Sequence, residues 1–455
     1  MATQSFDVIL PLLEPFSSRY SFSVEDAKLL ASMGYNTIRL GVLWAGLEPS
    51  QGEYNRTYLE KVVEIVEIAG QHGLYPVLDM HQDVFNRKYC GNGVPDWVPQ
   101  PDKENFPYPL EVEYPVDENN HPSREDCGKI QWPNYHFSVS LSQSVGRLYN
   151  NFNGLLDKFA EFWGKVAETF ADNEDVIGYE IMNEPWCGDV YDDPTLLVPG
   201  VADRRYLQPM YDRVNTEIRK YDEEHIILFE SVTWEIAGIG EAIGFTHPPG
   251  GQDYRNRSVL AFHNSVQDQV TSHEDYYDLR WGEIQRLGIA GFVTETGDCC
   301  LDLADEMTKW GYSWHHWAYK LYGAWTWDSH GLWELGDDQN YDCPTVESCL
   351  NTDRVRVYAR TYAEAVAGQG KYFHFNSETS EALLVFQPDP SITEPTVMRV
   401  PVSWRYPAGA AVEITPAGVA TWSFGCCDEQ ANTTLHISLT QQWEGEEVSV
   451  VIMPV

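Results

Sequence analysis

Up to about residue 330 the chain repeats one unit: a stretch with helical spacing, then a short apolar run that ends in polar residues. The runs are residues 37–42, 75–80, 176–182, 226–229, 259–262, 292–294 and 324–327. Runs this short, β-branched or aromatic and set apart by helical segments, predict strands of a parallel sheet. Ser23 is placed to cap a helix that starts at Val24 and ends near Gly34. Leu59, Val62, Val63 and Val66 put one apolar stripe on a helix over 57–69, and residues 155–170 repeat the pattern. Eight such units close into a (β/α)8 TIM barrel. The first strand is the weak point, because residues 6–10 are followed closely by Pro11 and Pro15.

Residues 84–150 interrupt the repeat with a long insertion rich in Pro, Asn, Tyr and acids, which in a barrel lies over the active-site face. After about residue 366 helical spacing gives way to short alternating stretches, the signature of a small all-β domain. The expected organisation is a catalytic barrel over 1–365 and a β-sandwich over 366–455. Cys90 with Cys127 and Cys343 with Cys349 flank polar segments and read as loop staples. Staples favour an oxidising setting, secreted or vacuolar/lysosomal, although residues 1–6 show no signal peptide. No Cys-x-x-Cys or His-x-x-x-His spacing suggests zinc.

In a barrel the carboxyl ends of the strands face the active site. The polar residues there are Arg39, His81, Asp83, Asn183, Glu184, Glu230, His263, Glu295 and Trp327. Glu184 follows one strand in Asn-Glu-Pro, and Glu295 follows another in Thr-Glu-Thr-Gly. Two facing carboxyls are what glycoside hydrolysis needs: one protonates the leaving oxygen, the other attacks the anomeric carbon or activates water. The 16 Trp, 26 Tyr and 18 Phe suit stacking on sugar rings as well as core packing. With 69 acidic against 30 basic side chains, a net charge of −39, the chain repels phosphates, so nucleic acid is not an expected partner.

Several segments resemble retaining glycosidases of glycoside hydrolase family five, and most closely its endoglycoceramidase and endoglycoceramidase-related branch. They are residues 34–44, 48–55, 79–85 running into 87–97, 178–185 and 292–297, with 366–368 and 402–407 in the tail. The resemblance implies that Glu184 is the acid/base and Glu295 the nucleophile. It implies that Arg39 keeps the nucleophile ionised and Asn183 holds the sugar 2-hydroxyl. His81 and Asp83 would bind glycone hydroxyls, His263 would border the site, and Trp327, with Trp325 as its rival, would stack beneath the sugar. Glu230 is given a structural role. The family's His-x-Tyr is here His263-Asn264-Ser265, so its tyrosine hydroxyl has no counterpart at that position.

These readings predict hydrolysis between glycan and ceramide in a glycosphingolipid presented at a membrane or micelle, with no cofactor, no metal and no obligate protein partner. The alternatives are a glucosylceramidase or steryl-β-glucosidase of the same branch, and a glycolipid-binding pseudoenzyme.

Overall fold

The computed structural model describes residues 21–232, 243–264, 273–296, 301–319, 331–332, 348, 350–425, 434–440 and 446–455. Helix Val24–Ser32 starts where the sequence places it. Ser23 and Asp26 form a capping box in which each side chain accepts the other's backbone N–H. Asn55 caps helix Arg56–Gly70 by accepting from Tyr58 N, and Tyr58, Val62, Val66 and Ala69 bury one face of it. Helix Leu155–Phe170 packs Phe159, Phe162, Trp163 and Val166 into the main core.

Among the described residues, seven strands form one parallel sheet in chain order: β1 Thr37–Gly41, β2 Tyr75–Asp79, β3 Gly178–Glu180, β4 Ile226–Glu230, β5 Ser258–Asn264, β6 Ala290–Thr296 and β7 Ser313–His316. Strand periodicity turns alternate side chains to opposite faces. On β1, Ile38 and Leu40 join hydrophobic clusters while Arg39 takes part in a polar network. Gly178 permits the contact of β3 with β4, since a Cβ there would sit 2.1 Å from Ile226 O. The side chains of Thr37 on β1 and His315 on β7 meet at 3.1 Å, joining the two sheet edges. The architecture is the (β/α)8 barrel; the expected strand at 6–10 lies outside the described residues.

One strand was missing from the sequence reading. The strand expected at 324–327 lies outside the described residues; beside β6 lies Ser313–His316. Its two histidines disguise it, because an apolar-run criterion passes over them. Yet His315 and His316 are both buried, His316 stacked on Tyr358.

The insertion 84–150 is an ordered cap. The disulfide Cys90–Cys127 closes it. Around Phe106 pack Tyr89, Tyr114 and Tyr135, and the Tyr135 hydroxyl reaches Cys127 O. Helix Val139–Tyr149 carries the cap back to the barrel core through Leu141, Val145 and Leu148. Cys343 and Cys349 lie outside the described residues.

The C-terminal part is a β-sandwich. One sheet orders β12 Ala410–Thr415, β15 Val448–Pro454, β10 Ala382–Pro388 and β9 Gly368–Phe375; the other orders β13 Ala420–Phe424, β14 Thr434–Leu439, β11 Thr396–Arg399 and β8 Tyr362–Ala365. β8 precedes the expected boundary at 365/366 yet pairs with β11. The sandwich is pinned to the barrel. Glu364 accepts from Asn36 and pairs with Arg399, Trp404 Nε1 donates to Ser32 Oγ at 3.1 Å, and Tyr362 donates to Gly34 O.

Candidate active site

Arg39 is the hub, fully buried on β1. Its Nε donates to Glu180 Oε2 at 2.6 Å, Nη2 to Asn183 Oδ1 at 2.8 Å and Nη1 to Glu295 Oε2 at 3.2 Å, while Nη2 lies 3.1 Å from Asp79 Oδ2. Burial opposes its charge, but Asp79, Glu180 and Glu295 outweigh that and hold it protonated.

His81, just beyond β2, lies between Asp79 Oδ2 at 2.8 Å and Asp83 Oδ2 at 3.1 Å. Burial pulls its pKa down, and Asp83 and Asp79 overcome this to lift it to about 10, so the ring is an imidazolium at neutral pH. Asp83 is correspondingly held below the usual carboxylate range, its desolvation offset by His81 and by Asn92, which donates at 3.1 Å. Gln82 ties this loop to the next strand end, donating to Asn183 O at 2.7 Å and Glu184 O at 2.9 Å.

Glu184 has a left-handed backbone, φ 39°, a conformation rare and strained for a side chain of this kind. That turn sets Oε1 2.8 Å from His263 Nδ1. Burial raises the Glu184 carboxyl to about 8; Asp83 adds to this, and His81 and Arg39 oppose it. Burial also raises Glu295, to about 7, with His263 and Arg39 opposing and Glu184 reinforcing. Carboxylate oxygens of Glu184 and Glu295 and a ring nitrogen of His263 lie within 4.8 Å of one another. Glu180, Glu230 and His263 form a second such group, where Arg39 already supplies a cation 3.9 Å from Glu230.

The structure thus gathers Arg39, His81, Asp83, Asn183, Glu184, His263 and Glu295 from five strands. Trp327, Trp325 and Ser265 lie outside the described residues. Sequence reasoning missed Asp79, Glu180, Gln82 and Trp317. Asp79 and Glu180 carried a signal: an acid inside an apolar strand must meet a buried partner. Trp317 follows β7 and stacks on His81, with centroids 5.1 Å apart and planes at 11°. The histidines that disguise β7 disguise Trp317 with it.

A parallel barrel with two carboxyls converging at its strand ends, one of them held by a buried arginine, defines a glycoside hydrolase of the two-carboxylate kind. The chain belongs to glycoside hydrolase family 5: residues 16–331 match the model described as Cellulase (glycosyl hydrolase family 5), and residues 360–452 match the glycoside hydrolase family 5 C-terminal domain. It is 38% identical to an endoglycoceramidase of Hydra vulgaris over 406 residues, covering 87% of this chain and 75% of that protein. It is 39% identical to an endoglycoceramidase of Cyanea nozakii over 420 residues, covering 88% and 80%. The structure of endo-glycoceramidase II from Rhodococcus sp. with ganglioside GM3 superposes with a TM-score of 0.71 at 22% identity, covering 96% of this chain and 93% of that one, a likeness of fold.

Proposed function

We propose that this glycoside hydrolase cleaves the bond between glycan and ceramide in glycosphingolipids, with retention of configuration. The observation that carries the mechanism is that one carboxylate oxygen of Glu184 and one of Glu295 come within 4.8 Å of each other beside His263. Carboxyls this close suit a retaining pair, since inverting pairs leave roughly 6.5–9.5 Å between them for a water. The choice of substrate rests on likeness to the two cnidarian endoglycoceramidases over most of the chain.

In this reading the Glu295 carboxylate attacks the anomeric carbon. The bond from that carbon to the ceramide oxygen breaks, and Glu184 gives its proton to the departing oxygen. Glu184 then takes a proton from water as the water displaces Glu295. Arg39 favours the ionised nucleophile against its burial. Asn183 spends Oδ1 on Arg39 and one N–H on Gln82 O, leaving its other N–H for the sugar 2-hydroxyl. His81 as imidazolium spends both N–H groups on Asp79 and Asp83, and so orients the Asp83 carboxylate as an acceptor toward the glycone. Trp317, stacked against His81, takes the platform role that the sequence reading gave Trp327.

The cap over 84–150 borders the aglycone side. Its Tyr108 is 61% exposed and Tyr191, on the next loop, 45%. Amphipathic rings of this kind suit an uncharged lipid interface, and a net charge of −39 disfavours an anionic one. The mechanism is tested by mapping the peptide labelled by a 2-deoxy-2-fluoro glycoside: the label belongs on Glu295, and a label elsewhere, or inverted anomeric product, overturns it.

A further inference from the structure

Glu230 ends β4 behind the reacting pair. The residue is 1% exposed, and its Oε1 accepts from Glu184 N at 3.3 Å. The same atom faces His263 Nε2 at 3.5 Å, and that buried nitrogen makes no hydrogen bond as the ring stands. The other ring nitrogen, Nδ1, is the one that meets Glu184 Oε1. Glu184, His263 and Glu230 therefore form a chain from acid/base to imidazole to a second carboxyl.

We propose that Glu230 is a positioning residue that stays protonated, donates its O–H to His263 Nε2, and so fixes the imidazole in the tautomer with hydrogen on Nδ1. Nδ1–H then donates to Glu184 Oε1, which leaves Oε2 as the oxygen that carries the transferable proton. The opposite tautomer would place the Glu184 proton between Oε1 and Nδ1, directed into the protein instead of toward the substrate. After the first step the same Nδ1–H donates to an ionised Glu184 and supports its action as base.

The charges around Glu230 explain why it keeps its proton. From β1 it faces Arg39 at 3.9 Å, but that guanidinium already serves Asp79, Glu180 and Glu295 at 3.2 Å or less. From β2 and β3 it faces the Asp79 and Glu180 carboxylates, from the loop after β3 Glu184, and from β5 His263. From helix Gln208–Ile218 Tyr211 contributes a hydroxyl, which donates to Glu230 O and not to the carboxyl. Burial, Glu180, Glu184 and Asp79 all raise the Glu230 pKa, with Arg39 opposing. His263 is lowered by burial and is neutral at pH 7. Glu184 itself faces Asp83, His81, Arg39 and Asp79 as well as Glu295, whose own titration at about 7 sets the acid limb, so changes at His263 are read on the alkaline limb.

The inference rests on the glycosidase reading of this site but not on the ceramide substrate, so its test uses a soluble aryl lactoside and the protein alone. Nitrogen-15 spectra of histidine-labelled protein, with His263 assigned by comparison with His263→Asn, should show Nδ1 protonated and Nε2 bare. In Glu230→Leu the Nε2 loses its donor and the neutral ring is free to take the opposite tautomer, with hydrogen on Nε2 and a bare Nδ1 that accepts from protonated Glu184. The alkaline limb of kcat/KM should then move up by about one pH unit. Glu230→Gln, whose amide still donates, should restore the limb. A protonated Nε2 in the unaltered protein overturns the proposal. So does a Glu230→Leu variant that is less stable and slower with its alkaline limb unmoved, the outcome of a packing role.

Discussion

Glu184 and Glu295 are both raised by burial, to about 8 and about 7, and their neighbours order them. Asp83 adds to the rise at Glu184, whereas His263 and the Arg39 contact at 3.2 Å restrain Glu295. Turnover needs Glu295 ionised and Glu184 protonated, so kcat/KM on an aryl lactoside should rise with pH through about 7 and fall through about 8. A plateau extending well above pH 9 would contradict this. Stability follows from the same values. Each acid has a folded pKa above its unfolded value of roughly 4.3, so the folded state holds extra protons, and stability falls as pH rises from there to about 8. His81 adds a stabilising share that is full below its unfolded value of roughly 6.5 and is lost as pH rises through about 10. Glu184→Gln should therefore abolish most turnover, by a factor on the order of 10²–10⁴, while raising Tm at pH 8 and flattening its fall with pH. An unchanged Tm profile would show that Glu184 is not the strained, desolvated acid described. The strand-end acids were legible because carboxyls after apolar strands have few structural uses. Trp317 was not, since its meaning depends on β7, whose histidines read as polar.

At the scale of elements, the cap joins two things the sequence kept apart. It was recognisable as a long insertion, and its disulfide as a candidate staple, but its core was not. Phe106, Tyr114 and Tyr135 are scattered over thirty positions and meet only in three dimensions. Because Tyr89, Val98, Leu141 and Val145 belong to the main core, the cap is not removable. Opening it at Cys90–Cys127 is the sharper perturbation. Cys127→Ser should cost up to about 3–4 kcal/mol by loop-closure entropy, seen as a drop in Tm that reducing agent reproduces in the parent protein. At the cap surface, Tyr108→Ser should lower the ratio of turnover on glycolipid micelles to turnover on aryl lactoside several-fold. An unchanged ratio would remove Tyr108 from the lipid-facing surface. Strand placement was legible to within one or two residues for β1, β2 and β4, where apolar residues dominate the run despite Arg39 and Asp79. β5 and β6 run on through His263 and Glu295, polar residues that a run-based reading treats as ends.

Over the whole molecule, the sandwich is fastened beneath the first helix and strand. Trp404 reaches Ser32, Tyr362 reaches Gly34, and Glu364 links Asn36 to Arg399; Arg360 pairs with Asp305 on the barrel side. These contacts lie apart from the strand ends that carry the site. Trp404→Ala should lower Tm while leaving both limbs of the pH profile in place; a shifted limb would mean that the sandwich shapes the site. Two domains of these classes were readable from the change in periodicity near residue 366. Their junction was not, because Tyr362–Ala365 resembles the end of the preceding helix until β11 pairs with it.

The central claim is the bond cleaved. Purified protein incubated with lactosylceramide or a ganglioside, and the products identified by mass, answers it directly. The account predicts intact oligosaccharide and free ceramide, with both absent in Glu295→Gln. Cleavage confined to glucosylceramide would place the enzyme with monoglycosyl hydrolases, and glycolipid binding without turnover, or cleavage of soluble glucans alone, would contradict the account.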